Sequence, residues 1–464
     1  LHGVLTNAAV CLTLLASTIL AMPTQPAQTS QQRLYSKISF DSNVWKNAEF
    51  RIKCPSIKRS KDFIELEATR PSARQMKFSS QRARLKALQL NRELKGIGEN
   101  RDDEKSHHFF QKGIQCPIGN QVKKLRVGTD CSGMEAPIQA LQNLRIPYEH
   151  VFSCDNDESC EKFIKANFPP KVFYKDVTTR DNKVVESVDL YIAGFPCQPF
   201  SKAGKQQGFE DEKGRGAIFF DILDYIEVKR PKTFILENVK GIVSLDNGRY
   251  LKSIMHSLQS IGGIKPKNKG ENALYDIQYT VLNTKDHGIP QNRPRWYCVG
   301  ILRSESRQDS TEFVFPTTFG SDSIAKFLEK RATSPGSNDA TQAQTGKTNS
   351  TVNKNILKAN AEIAKANVDL SEEYCIVDCD ASAAKMRWTR DYSPCITRSR
   401  SSGHYIANEK RRFTIEEMLR LQGMNPTQLK APITPRQLGQ LIGNAMSVNV
   451  VERIIFNLLN ATKM

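Results

Sequence analysis

Residues 188–201 read Val-Asp-Leu-Tyr-Ile-Ala-Gly-Phe-Pro-Cys-Gln-Pro-Phe-Ser. The run 188–193 has the near-continuous apolar pattern of a strand covered on both faces, as in parallel sheets. Gly194 and Pro196 end it, because proline has no N–H to give to a ladder and fixes its own φ. Working outward, short strands are expected at residues 125–129, 150–154, 233–236, 277–282 and 296–302. Helices are expected at residues 136–144, 158–167 and 218–228. Strands alternating with helices predict an α/β fold, a mostly parallel sheet with helices on both faces. Ligands of such sheets sit at the carboxyl ends of the strands, and Cys197 stands at one of them.

The chain has 464 residues, enough for two ordinary domains and a tail. A net charge of +18 favours a polyanionic partner, since Lys and Arg displace counterions from phosphates. The 11 cysteines are scattered, with no C-x-x-C pair, so neither a metal site nor a disulfide framework is implied. Residues 8–21 are apolar but short for a bilayer span, and no Lys or Arg precedes them. Residues 1–21 are therefore read as upstream translated sequence, or else a targeting segment, with Met22 as the start and no membrane association. The rest of residues 1–120 is polar and basic and is expected to form a partly disordered extension. Residues 331–353, rich in Ser, Thr, Asn, Gln and Gly, read as a flexible linker. Near the C-terminus a helix is expected over 413–421, opened by Thr414 with Glu417 three residues on, the capping-box pattern. A second helical stretch over 434–458 is interrupted at Gly443-Asn444.

Three groups of residues carry chemistry. Cys197 lies on a strand-end loop, followed by the Gly- and Lys-rich stretch 201–208, which is suited to moving over a polyanion. The strand at 233–236 runs into Glu237-Asn238-Val239, which brings a carboxyl to the same edge. Gln291-Asn292-Arg293-Pro294-Arg295 leads into the strand at 296–302, and alternation places Arg293 and Arg295 on one side of it. A nucleophile, an acid and a pair of cations at one sheet edge suit covalent catalysis on a polar ring. Taken singly, each has a blander reading: an inert buried thiol, a capping carboxylate, two surface cations.

Together, Phe195-Pro196-Cys197-Gln198, Glu237-Asn238-Val239 and Gln291-x-Arg293-x-Arg295 resemble the DNA cytosine-C5 methyltransferase family in order and spacing. Gly423 and Gly443-Asn444 resemble that family's last two motifs, and the catalytic loop is close to its short bacterial-type enzymes. The resemblance covers residues from about Lys124 to Met464. It implies a Rossmann-like catalytic domain that uses S-adenosyl-L-methionine to methylate C5 of a flipped-out cytosine. Cys197 would be the nucleophile toward C6, Glu237 the acid at N3, Arg295 the holder of O2 and Arg293 the support of Glu237 and the loop, with Gln198 and Ser201 on the substrate loop. Base flipping follows, since C6 is unreachable inside a duplex.

On the cofactor side the family's first motif has the form F-x-G-x-G-G. Here the chain reads Asp130-Cys131-Ser132-Gly133-Met134-Glu135-Ala136, so Cys131 replaces the aromatic residue and Glu135-Ala136 the glycine pair. By the resemblance Cys131, Gly133, Met134, Asp155, Asn156, Asp176, Val177, Pro196, Ile218 and Asn444 line the cofactor site. Asp155 would hold ribose hydroxyls, and Asp176-Val177 would meet the adenine.

The implied organisation is an extension at 1–120, a catalytic domain at 121–315 and a small target-recognition region at 316–404. Helices at 405–464 would then return to complete the catalytic domain. Arg387, Arg390, Arg398 and Arg400 are candidate phosphate or base contacts. Double-stranded DNA is the expected partner, the expected state a monomer and the expected location the nucleus, with an organelle or bacterial cytoplasm also compatible. Two other readings stay open: a tRNA cytosine-C5 methyltransferase, or a non-catalytic nucleic-acid-binding relative.

Overall fold

The computed structural model describes residues 123–196, 216–263, 273–307, 312–329 and 350–464. The N-terminal extension, Cys197, Gln198, Ser201 and most of the expected linker lie outside the described residues.

Among the described residues seven strands form the main sheet: β1 (Leu125–Asp130), β2 (Tyr148–Cys154), β3 (Val172–Tyr174), β4 (Leu190–Ala193), β5 (Thr233–Val239), β6 (Tyr275–Asn283) and β7 (Pro294–Leu302). Their spatial order is β3-β2-β1-β4-β5-β7-β6. Strands β1 to β5 pair in parallel, whereas β7 runs antiparallel to both β5 and β6. The order reverses between β1 and β4. The crevice outside their carboxyl ends is the place where open α/β sheets hold ligands.

The strands are apolar on both faces because each face is covered. Leu190, Ile192, Ile235, Val299 and Ile301 join one cluster with helices α1 (Ala136–Asn143) and α2 (Glu158–Asn167). Their alternates Tyr191, Ala193, Phe234, Leu236 and Cys298 join another with α3 (Ile218–Lys229) and α4 (Arg249–Gln259). The period-2 split of neighbouring residues between two cores is the geometry of a pleated strand.

A second, antiparallel sheet follows helix α5 (Thr351–Lys365), with strands β8 (Cys375–Val377), β9 (Trp388–Arg390), β10 (Tyr405–Ile406) and β11 (Arg411–Arg412) in the order β9-β8-β10-β11. Ile356, Ala359 and Ile363 recur at helical spacing and pack on Cys375, Val377 and Tyr405. Two expected boundaries shift. The linker ends by Ser350, whose side chain accepts from Asn353 N and opens α5, so residues 351–353 are helical. The small sheet extends past residue 404, because β10 and β11 form its last hairpin.

The chain then returns through α6 (Ile415–Leu421), α7 (Pro435–Asn444) and α8 (Val448–Ala461). Thr414 and Glu417 form the expected capping box. Helix α8 meets α1, where Asn143 Nδ2 donates to Glu452 Oε2 at 3.0 Å. Gly443 is still helical, and the break falls at extended Ala445 (φ −61°, ψ 149°). The glycine serves close approach instead: a Cβ at Gly443 would overlap the Thr397 backbone, and one at Gly439 the Ser401 backbone.

Candidate active site

The loop after β1 builds one wall. Cys131, Gly133 and Glu135 take left-handed φ values of 51°, 57° and 53°. For Cys131 and Glu135 this costs about 1–2 kcal/mol each, so the turn needs compensation. Ser132 supplies some of it, exchanging hydrogen bonds with the Cys154 main chain at the end of β2. Glu135 supplies more. Its fully buried Oε1 accepts from Thr129 Oγ1 at 2.7 Å and Ser153 Oγ at 2.6 Å, and faces His150 Nε2 at 3.4 Å. The residue standing in a glycine position thus holds the glycine-like backbone and anchors it through its carboxylate.

Asp155 is drawn into the same turn. Its Oδ2 accepts from Gly133 N at 2.9 Å and its Oδ1 from Asp157 N at 3.0 Å. Burial raises its pKa, opposed by these two backbone donors. Asp155 therefore fixes the Gly133 turn in addition to any contact with a ribose. Asp176 Oδ1 accepts from the N–H and hydroxyl of Thr178, both at 2.8 Å, and stiffens its own turn. Val177 is buried, Asn156 is exposed, and Pro196 and Ile218 are half-buried.

Beneath this wall lies a charge cluster that sequence reading missed. Arg180 donates from Nη1 and Nη2 to the two carboxylate oxygens of Asp130, each at 2.7 Å, and Tyr191 Oη donates to Asp130 Oδ2 at 2.6 Å. The guanidinium lies 5.1–5.6 Å from the ring centroids of Phe152, Tyr174 and Tyr225. Burial pulls the Arg180 pKa down, but Asp130 outweighs it and leaves the group above its ordinary value. Fifty residues separate the partners, and no local pattern announces such a pair.

The second wall comes from β4, β5 and β7. Val239 sits opposite Arg295 in the β5–β7 register, so Arg295 shares a face with Glu237 as its diagonal neighbour. Arg295 Nε lies 3.2 Å from Glu237 Oε1. Burial raises the Glu237 pKa, with Arg295 and then Arg293 opposing. A carboxyl held this way keeps its proton to higher pH than a free glutamate. Gly194 makes room beside it, since a Cβ there would lie 3.5 Å from Glu237 Oε2 and 2.7 Å from Met446 Cε. Buried Asn238 donates to Phe195 O at 3.1 Å, clamping the main chain two residues before Cys197.

Arg293 does something other than the expected direct support of Glu237. It is buried, and its guanidinium donates to Ile396 O at 2.6 Å, Ala445 O at 2.7 Å and Gly443 O at 3.2 Å. It thereby ties the segment after β9 to the end of α7 and touches Glu237 through its field alone. Gln291 braces the same junction, donating to Leu421 O at 2.7 Å and accepting from Ile396 N at 3.0 Å.

Both walls face one cavity that is open to solvent on one side. Cys131, Gly133, Met134 and Asn444 line it, together with Asp130, Gly194, Glu237 and Met446. Asp155, Asn156, Asp176, Val177, Pro196 and Ile218 are not among its lining residues. The Gly133 turn leaves open space where a Cβ would point.

A model of the C-5 cytosine-specific DNA methylase family matches residues 129–460. The chain belongs to that family. Among curated relatives of this methylase family, the Type II methyltransferase M.HaeII of Haemophilus aegyptius is 31% identical over 68% of this chain and 87% of its own length. M.NgoBI of Neisseria gonorrhoeae is 33% identical over 65% and 84%. A solved methyltransferase of Entamoeba histolytica shares the fold, with a TM-score of 0.50 and 20% identity over 73% of this chain and 98% of that one. The protein is a DNA cytosine-5 methyltransferase that depends on S-adenosyl-L-methionine, and the Gly133 turn, with open space where a Cβ would point, suits the close approach of that cofactor. The two curated relatives are bacterial, which lends no support to a nuclear location. Among the described residues no helix is long and apolar enough to cross a membrane.

Of the candidate DNA contacts, Arg400 is engaged by Asp378, Arg398 by Asp157 and Arg390 by Glu373. Arg387 is exposed, and no described residue bonds its guanidinium.

Proposed function

We propose that this methyltransferase acts on a cytosine flipped out of duplex DNA, through a covalent bond between Cys197 Sγ and C6 of the base. Cytosine C5 is a poor nucleophile. Addition of the Cys197 thiolate to C6 makes C5 enamine-like, provided the charge arriving at N3 is neutralised. Glu237 gives its proton to N3, while Arg295 holds the O2 carbonyl oxygen beside it. When bound, S-adenosyl-L-methionine supplies the methyl group. Loss of the C5 proton to water then re-forms the C5–C6 double bond and expels the thiolate, and N3 returns its proton to Glu237.

What carries this reading is the place of Glu237, a buried carboxyl with a raised pKa, on the same cavity as the Gly133 turn and Asn444. Acid and cofactor wall are thus within one small space, as methyl transfer to a ring held by that acid requires. Cys131, Gly133, Met134 and Asn444 would hold the cofactor directly, with Asp155 and Asp176 shaping the turns around it. Asn238 would set the start of the Cys197 loop through Phe195 O.

The test is transfer of a labelled methyl group to matched duplex DNA and to tRNA, side by side. Label in duplex DNA cytosine, lost in Glu237→Gln, is expected. Label in tRNA alone would overturn the substrate, and no label in either would overturn the activity.

A further inference from the structure

The Arg293/Arg295 pair has a third partner that the scheme above leaves unused. Cys395 Sγ lies 3.5 Å from Arg293 Nη1 and 3.7 Å from Arg295 Nη2, within the range of hydrogen bonds to sulfur. Among the described residues it is the one side chain that bonds the Arg293 guanidinium, whose other acceptors are the carbonyls of Ile396, Gly443 and Ala445. A buried cation without an anionic partner costs several kcal/mol, and carbonyl oxygens do not discharge it. The second guanidinium touching this sulfur also pairs with Glu237. Cys395 thus joins the recognition region to the group that faces the acid.

We propose that Cys395 is a positioning residue for methyl transfer: its sulfur, shared by Arg293 and Arg295, holds Arg295 where it meets both Glu237 and the base. It does not touch the reacting atoms; it acts through Arg295. Burial pushes the Cys395 thiol up, yet Arg295 and Arg293 outweigh burial and bring it below its ordinary value. The charged or titratable groups around it are these two arginines, Glu237 beyond Arg295, and His404, whose Nε2 lies 3.3 Å from the Cys395 carbonyl. Burial holds the His404 imidazole down to about 4, so it stays neutral across the working range and leaves the arginines to set the thiol.

This inference rests on Arg295 as the base-holding group, so its test has one arm that needs no methylation. The rate of Cys395 alkylation by iodoacetamide, followed on its own peptide by mass spectrometry, is measured against pH in the parent protein and in Arg295→Gln. The midpoint is expected below about 8.5, the value of a free thiol, and is expected to rise in the variant. A midpoint at or above the free-thiol value, unchanged by Arg295→Gln, would overturn the proposal. In the second arm, Cys395→Ser should lower kcat on duplex DNA by about tenfold or more, which is about 1.4 kcal/mol in the barrier. Binding of S-adenosyl-L-methionine and the Tm should stay close to the parent's. Cys395→Asp, which gives both guanidinium groups a charged acceptor, should recover most of the lost kcat. Parent-like turnover in Cys395→Ser, or an aspartate variant no better than serine, would refute it. Failure of the parent protein to methylate would instead refute the functional reading and leave the alkylation result standing.

Discussion

Replacing Arg180 with leucine leaves Asp130 as a buried carboxylate, 1% exposed, with its bidentate partner gone. Two charge-assisted bonds of 2.7 Å disappear, along with contacts to three aromatic rings. The hydroxyl of Tyr191 alone is left on the charge. Breaking a buried pair from one side costs about 3–5 kcal/mol, chiefly because the remaining ion is uncompensated. Arg180→Leu should therefore lose about that much in urea unfolding followed by circular dichroism. If the orphaned charge is the cause, Asp130→Asn in the same molecule should return about 2 kcal/mol or more, making the double variant more stable than Arg180→Leu. Because Asp130 also lines the cavity, binding of S-adenosyl-L-methionine by calorimetry should weaken in the single variant and partly recover in the double. A loss below about 1 kcal/mol, the scale of an exposed pair, or a double variant no better than the single, would refute the argument.

Three further outcomes follow from the same geometry. Glu237→Gln removes the proton donor at N3 and should lower single-turnover methyl transfer by about 10²–10⁴-fold, measured with labelled cofactor. Gly443→Ala drives a Cβ into the Thr397 backbone, which cannot yield. It should cost about 2–3 kcal/mol, whereas Gly194→Ala meets the movable end of Met446 and should cost less, both read by denaturant unfolding. Glu452 is a carboxyl whose pKa burial raises from 4.5 to about 7, opposed by the bond from Asn143. The folded state therefore holds a proton that the unfolded state has lost, so stability from this group falls as pH rises from about 4.5 to 7 and stays low above that. Glu452→Gln should abolish that slope and gain up to about 3 kcal/mol at pH 8, seen in the difference between the two unfolding curves.

Much of the sheet was legible because strands buried on both faces must be apolar throughout, as in residues 188–193 and 233–236. The capping box at Thr414 was legible because it is a local device. Helix α4 was not read, although Tyr250, Leu251, Ile254 and Leu258 carry its apolar stripe, and β3, three residues long, leaves no periodicity to read. At the site, Glu237 and Arg295 were visible as strand-end residues whose register then paired them. The role of Arg293 was not, because its principal acceptors are backbone carbonyls far along the chain, and carbonyls have no sequence signature. Glu135 reads as damage to a glycine turn until its carboxylate is seen tying down Thr129 and Ser153. Asp130 with Arg180 and Cys395 with the arginine pair are long-range contacts that no spacing rule reaches.

The account turns on a covalent bond at Cys197, and trapping that bond tests it most directly. Duplex DNA carrying 5-fluorocytosine in place of cytosine has no C5 proton to lose, so the thiolate cannot be expelled after methyl transfer. Incubation with S-adenosyl-L-methionine should then leave a stable protein–DNA adduct, mapped by proteolysis and mass spectrometry to the peptide containing Cys197. It should be absent in Cys197→Ala. An adduct at another residue, with methylation intact in Cys197→Ala, would contradict it.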